Sequence, residues 1–296
     1  CFLVSHYSLQ RTRRFSCDRK MNFAQYPVLL LSMILEISSP QNQRIKNLIA
    51  LQKPRERKEQ QAFVIEGVRE ISLAQQSGYE LQEIYLNPNI FREDPHYPIS
   101  FEHSTTYHLS NVVFSKVAYR ESTGGVIAIA TIKSLTLADL PKNENPLYLV
   151  LENVEKPGNI GAMLRTADAA GLSGVIVCDP NTDFFNPNVV RSSVGCLFTV
   201  PVASASNHEA RDWLTNQGIT TYAAALTDKA RPYHTFDYKA PSALLLGTEA
   251  TGLSDFWLTE ANQQVIIPMK GKIDSMNVSN AAAILIYEAL RQRDFG

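Results

Sequence analysis

Three polar, glycine-bearing segments in the second half of the chain carry side chains that could do chemistry. The first joins Glu152-Asn153-Val154-Glu155-Lys156-Pro157-Gly158-Asn159-Ile160-Gly161 to Leu164-Arg165-Thr166-Ala167-Asp168. Asn159 is expected to cap a helix there, and Gly158 and Gly161 to permit a tight turn with close backbone approach. Ile160, Met163, Leu164 and Ala167 form an apolar stripe that leaves Arg165 to one side. Arg165 then either pairs with Asp168 on the surface or is placed to hold a phosphate. The second segment, Gly247-Thr248-Glu249-Ala250-Thr251-Gly252, sets a carboxylate between glycines; it reads as a plain loop or as one whose Gly247 admits a ligand to the backbone while Glu249 orients a neighbour. The third runs from Ile267-Pro268-Met269-Lys270 to Ser275-Met276-Asn277-Val278-Ser279, with Ser275, Asn277 and Ser279 at the entrance of a helix.

These segments need a frame, and the surrounding pattern supplies one. Apolar runs at Leu147–Leu151, Gly174–Cys178, Leu197–Val202, Thr220–Ala224, Ala243–Leu246 and Gln264–Ile267 are continuous rather than alternating, as in strands covered on both faces. Helical patterns lie between them at Ile160–Ala170, Glu209–Gln217 and Val278–Arg293. The expected fold is α/β, a doubly wound parallel sheet, whose ligands bind beyond the carboxyl ends of the strands. All three segments follow strands. Upstream, helices at Pro40–Leu51, Val68–Gln76 and Leu109–Val117 alternate with β-like runs at Phe63–Ile65, Leu81–Leu86 and Gly125–Ile132. The division is therefore residues 1–38 as a non-native or disordered leader, 39–135 as a small substrate-binding α/β domain, 136–146 as a linker and 147–296 as the catalytic domain.

The net charge is −1, so no global basic field draws the chain to nucleic acid, and any such contact must be local. One basic run holds Arg44, Lys46, Lys53, Arg55, Arg57 and Lys58 against Glu56. It reads either as a solvated helix face or as an RNA patch. The four cysteines form no CxxC pair, and Cys178 and Cys196 sit in apolar runs, which points to reduced buried thiols, a reducing (cytoplasmic) compartment and no metal site. The leader places Arg11, Arg13, Arg14, Arg19 and Lys20 before the apolar run Val28–Leu35, far short of the ~20 residues that span a membrane. Translation from Met21 or Met33 accounts for this composition, and an organelle-targeting segment is the alternative.

Taken together, the three segments in this order resemble motifs 1, 2 and 3 of the SpoU/TrmH family of SPOUT methyltransferases over Leu147–Arg293, and residues 40–132 resemble the substrate-binding domain of the family's two-domain, ribosomal-RNA branch. The resemblance implies S-adenosyl-L-methionine as cofactor, methylation of a ribose 2′-hydroxyl in RNA, a deep trefoil knot at the C-terminus and a homodimer whose sites are bordered by the partner. It implies Arg165, Asn159, Glu249, Ser275 and Asn277 as catalytic-site residues. Gly247, Ile267, Met276 (where the family usually carries Leu) and, more weakly, Leu226 are implied to line the cofactor pocket. Arg165 would serve as base or as phosphate anchor. Arg44, Lys46, Arg55 and Arg191 are the RNA-contact candidates; Arg191 belongs with Phe184-Phe185-Asn186-Pro187-Asn188, read either as an RNA-contacting loop or as an irregular structural one. Ribosomal RNA is the expected substrate, with transfer RNA or a non-catalytic RNA-binding role as alternatives. A nicotinamide-dependent oxidoreductase is disfavoured, because Gly158-Asn159-Ile160-Gly161 lacks the G-x-G-x-x-G spacing.

Overall fold

The computed structural model describes residues 35–119, 124–180, 183–273 and 275–295. Most of the expected leader, with Cys1 and Cys17, lies outside the described residues, as does Asp274. The N-terminal module comprises β1 (Leu35–Ile37), α1 (Gln43–Ala50), α2 (Pro54–Gln60), β2 (Ala62–Glu66), α3 (Val68–Gln76), β3 (Leu81–Leu86), β4 (Thr105–Leu109), α4 (Asn111–Val117) and β5 (Val126–Thr131). The C-terminal module comprises β6 (Leu147–Glu152), α5 (Pro157–Ala169), β7 (Gly174–Cys178), α6 (Pro187–Ser192), α7 (Cys196–Thr199), β8 (Val202–Ala205), α8 (Asn207–Asn216), β9 (Thr220–Ala224), β10 (Arg231–Pro232), β11 (Ser242–Leu246), α9 (Asp255–Glu260), β12 (Gln263–Ile266) and α10 (Val278–Gln292).

The second sheet has the order β10-β12-β9-β11-β6-β7-β8, and every pairing in it is parallel. The chain lays β6, β7 and β8 outward to one edge, then returns to build β9, β11, β12 and β10 on the other side. The strand order thus reverses beside β6, the place where doubly wound sheets open a crevice. The loops after β12, β9, β11 and β6 leave four consecutive strands on one rim. The first sheet, β1-β4-β3-β5-β2, is mixed: β5 runs antiparallel to β2 and β3.

Several expected elements differ from those observed, for local reasons. Leu197–Val202 is not one strand; Cys196–Thr199 is a helical turn entered from Gly195 in the left-handed region, and Pro201 separates it from β8. A short apolar run has no periodicity to tell the two apart. Helix α2 was invisible in Pro-Arg-Glu-Arg-Lys-Glu-Gln because the element has no apolar stripe; Pro54 starts it and Gln61 ends it in the left-handed conformation. β4 ends at Leu109, where α4 was expected to begin; Ser110 instead caps α4 by accepting from the Val113 N–H. The expected leader overlaps β1, whose Ile37 is buried and whose residues pair with β4. In the expected linker, Leu137–Asp139 forms a 3-10 turn capped by Thr136, and Leu140 is buried beneath the second sheet's core.

The two modules share one continuous apolar cluster. Phe63 on β2 lies 4.5 Å, ring centre to ring centre, from Phe185, and Tyr79 stands edge-on to Phe198 at 5.1 Å. Phe184 and Phe185 are thus buried packing residues, which removes them as RNA contacts. The shared core also holds a buried cation. Arg57 is 1% exposed and donates to the carbonyls of Leu51 and Gln52 at 2.9 and 2.8 Å and to the Asp183 carboxylate at 2.7 Å. Arg57 therefore leaves the candidate basic patch and becomes the polar tie between modules. A buried guanidinium stripped of its acceptor costs about 1–3 kcal/mol. Asp183→Ala is expected to lower the melting temperature by several degrees, and Asp183→Asn, which keeps an acceptor, by less; calorimetry that finds all three proteins alike would remove this role.

Candidate active site

Asn159 is the joint of the candidate site. Helix α5 begins at Pro157, so Asn159 is its third residue rather than its cap, and Lys156 holds the cap position without a side-chain bond. This frees the Asn159 amide, almost wholly buried, for two other loops. Its Nδ2 donates to the Glu249 carboxylate in the loop after β11, and its Oδ1 accepts from Asn277 Nδ2 at 3.1 Å, in the loop before α10. Asn277 in turn caps α10 by accepting from the Ser279 N–H (2.9 Å) and hydroxyl (2.6 Å). An amide suits this place because it presents a donor and an acceptor on opposite atoms.

Gly158 and Gly161 lie inside α5, not in a tight turn. Any Cβ on Gly161 would overlap the Ser192 side chain and backbone, so this glycine allows α5 and α6 to pack at close range. Gly247 also serves its own chain. The loop after β11 closes on itself through Thr248 and Gly252, which exchange backbone hydrogen bonds of 3.0 and 3.1 Å. A Cβ at Gly247 would overlap the Gly252 and Leu253 backbone. Loop closure thus requires this glycine, whose segment the sequence left open between a plain loop and one that admits a ligand.

The structure gathers Leu226, Gly247, Ile267 and Met276 around one cleft of about 340 Å³, with Glu249 and Ser275 on its polar side. They come from the loops after β9, β11 and β12, which the strand order makes neighbours. Apolar walls with a few polar groups at the rim fit an amphipathic ligand with a flat apolar part, and the volume lies within the ~300–1,000 Å³ of small-molecule sites. Leu226, 62% exposed, leaves an apolar side chain available at this cleft. Among the described residues no group of three or more His, Cys, Asp or Glu is arranged to hold a metal ion.

Arg165 does not line this cleft. It is exposed on α5, and it makes no hydrogen bond or ion pair among the described residues. Asp168, its potential surface partner, instead accepts from the Thr199 hydroxyl at 2.5 Å. Nearby, burial pushes the Cys196 thiol up, Asp168 adds to this, and the positive charges of Arg69 and Arg165 oppose it. Burial likewise pushes up the Cys178 thiol, helped by Asp179 and Glu152, and both cysteines are free. Of the RNA candidates, Arg44 pairs with Glu83 and lies 4.5 Å over the Tyr107 ring, Lys46 is exposed, and Arg55 pairs with Glu59 within α2. None of the three lines the cleft. Arg191 lies 3.7 Å over the Tyr119 ring and donates to Asn188 at 2.6 Å.

One residue central to the site carried no role in the sequence reading. Glu152 closes β6 with a carboxylate that is 2% exposed. It accepts from the Ser254 N–H (2.7 Å) and hydroxyl (2.6 Å) and from the Asn207 amide (2.7 Å), while Asn207 accepts from the Trp257 indole at 2.7 Å. These bonds pin the far end of the Glu249 loop to α8 and α9. The available signal was an acid ending an otherwise apolar strand.

Residues 146–287 match the SpoU rRNA Methylase family, and residues 42–128 match an MRM3-like substrate binding domain. A 23S rRNA (guanosine(2553)-2′-O)-methyltransferase of Bacillus subtilis is 32% identical over 253 residues, covering 85% of this chain and 98% of the relative. The chain belongs to the SpoU rRNA methylase family. A crystal structure of an RNA 2′-O ribose methyltransferase superposes with a TM-score of 0.76 at 37% identity, covering 88% of this chain and 99% of that one. The SpoU methyltransferase AviRb of Streptomyces viridochromogenes, solved in complex with AdoMet, gives 0.77 at 30% identity, covering 86% and 100%. In this SpoU methylase, Glu152→Ala would orphan three donors at about 1–3 kcal/mol each at most. The expected result is a clear fall in melting temperature together with faster proteolysis within residues 247–254; an unchanged melting curve would show the carboxylate to be dispensable.

Proposed function

We propose that this chain methylates a ribose 2′-hydroxyl of ribosomal RNA, taking the methyl group from S-adenosyl-L-methionine. The observation that carries the reading is the Asn159 joint. It locks the loops after β6, β11 and β12 around a cleft whose walls suit an adenine and whose rim suits polar groups. A relative matched over 85% of this chain and 98% of its own length is a 23S rRNA methyltransferase, and the N-terminal module matches a substrate-binding domain, which favours ribosomal over transfer RNA.

When bound, the cofactor supplies an electrophilic methyl group on a sulfonium. The chain's own residues do the rest. Leu226, Ile267 and Met276 would hold the cofactor's flat apolar part and exclude water, and the closed Thr248–Gly252 loop fixes the Glu249 carboxylate at the polar rim. Ser275 and Asn277 fix the third loop. Arg165 is the substrate's anchor. A guanidinium stays protonated at neutral pH, so Arg165 clamps a phosphate and stabilises the developing alkoxide, and the proton of the 2′-hydroxyl passes to solvent water as the methyl group is transferred.

The position of Arg165, away from the cleft of its own protomer, favours a homodimer in which Arg165 of one protomer serves the cleft of the other. The mostly apolar α10, with Tyr287 44% exposed, is the face for that contact. We also propose a substrate-binding module that takes in β1 and ends near residue 135, a linker to residue 146, a cytoplasmic location, and a trefoil knot in which the segment after β12 passes within the β11 loop; the Asn277–Asn159 bond, which draws that segment back to the loop after β6, supports the last. Arg44, Lys46 and Arg55 form an outlying RNA contact on the N-terminal module.

Two measurements test the reading. Arg165→Ala and Arg165→Lys are expected to lower the single-turnover rate of methyl transfer to ribosomal RNA by a factor of about 100 or more, in line with losing one preorganised charge at a transition state. Calorimetry should find cofactor affinity unchanged in both. Near wild-type rates in both variants would remove the role. Gly247→Ala should have the opposite profile, a folded protein whose cofactor affinity falls about tenfold or more (~1.4 kcal/mol) because the loop cannot close; normal affinity would show that the cleft lies elsewhere.

A further inference from the structure

A second, larger cleft lies between the modules and has no part in the reading above. Its volume is about 570 Å³. The N-terminal module contributes Glu66, Arg69, Arg92 and Tyr97, and the C-terminal module contributes Arg191 and Val194. We propose that this cleft receives an unpaired nucleobase of the substrate RNA, a near neighbour in the strand of the methylated nucleotide. The inference rests on the reading of Arg165 as the substrate's anchor.

Four observations converge on it. Two guanidinium groups of the cleft are already laid on aromatic rings, Arg191 on Tyr119 at 3.7 Å and Arg69 on Tyr97 at 5.5 Å. Planar guanidinium and aromatic faces are what unstacked RNA bases pack on. The Tyr119 end of this arrangement is built in, because Glu66 accepts from the Tyr119 N–H at 2.8 Å. Second, the lining mixes arginines with acids, Glu93 and Asp94 among them. Carboxylates repel a phosphate backbone but accept hydrogen bonds from the amino groups of cytosine, adenine and guanine, so the chemistry suits a base edge over a phosphate.

Third, Val194 in the cleft wall has a φ of 54°, a conformation that a β-branched residue adopts only when its surroundings hold it there. Such strain clusters at ligand sites. Fourth, the helix that carries Arg165 packs directly on a helix of the cleft. Arg165 lies on α5, Arg191 lies on α6, and the two helices approach so closely that a Cβ at Gly161 would overlap Ser192. A strand held at Arg165 therefore runs beside the element that presents Arg191.

The test uses the full chain and fluorescein-labelled single-stranded RNA: cytidine and uridine 12-mers and an abasic 12-mer with the same sugar–phosphate backbone. Tyr97→Ala and Arg191→Gln are expected to weaken binding of the cytidine 12-mer about 5- to 100-fold, the range of one lost base stack. Wild-type protein should prefer cytidine to uridine, and the variants should lose that preference. Binding of the abasic 12-mer and of S-adenosyl-L-methionine should not change, which also controls for folding. Equal losses on the abasic oligomer would show a phosphate contact and overturn the proposal, as would wild-type binding of the cytidine 12-mer by both variants. Methyl transfer to ribosomal RNA by the wild-type protein separates the two readings: its absence sinks the proposed function, whereas its presence alongside unaltered cleft variants sinks this inference alone.

Discussion

The placement of β11 between β9 and β6 governs this molecule. Five consecutive residues of β11 pair in parallel with β6, and four with β9 on the other side. Because the whole sheet is parallel, every strand delivers its following loop to the same rim. Inserting a late strand beside an early one therefore brings together segments that lie some 90 to 120 residues apart in sequence: Asn159 meets Glu249 and Asn277. The loops carry the chemical groups, but backbone pairing several residues below them decides which loops are neighbours.

Much of this was legible in the chain, and the reasons are particular. Ser242–Leu246 and Gly174–Cys178 are buried at every position, so their apolar runs had no alternation to mislead. Helix α3 and strand β3 were expected with their observed bounds, the first closed by Gly78 in the left-handed region and the second by Asn87 and Pro88. The segments that failed were those whose fate depends on distant partners. Helix α2 has no apolar face, and its one buried side chain is an arginine whose acceptor lies 126 residues away. Cys196–Val202 could not be divided without the turn at Gly195.

The candidate site divides in the same way. That Leu226, Gly247, Ile267 and Met276 meet at one cleft was implied by the family's motifs, and the four do meet. What each glycine is for was not legible: a Cβ at Gly161 or at Gly247 would meet other parts of the same chain, so helix packing and loop closure require them. Nor was Glu152, whose single letter at a strand end gives no hint of Asn207 or Ser254. Arg165 shows the converse case. The exposure expected from its place beside the apolar stripe is observed, while the partner that local spacing suggested is taken by Thr199.

The shared core between the modules has a consequence for how such chains can be recombined. Phe63 rests on Phe185, Tyr79 on Phe198, and Arg57 on Asp183, so the surface under the N-terminal module is written largely in residues 183–198 of the other. A substrate-recognition half taken from a relative would bring its own shape to that seam and find the wrong mould. Chimeras that exchange specificity would have to carry the 183–198 stretch along with the borrowed half, so the natural crossover unit is discontinuous in sequence although each half looks like a detachable cassette.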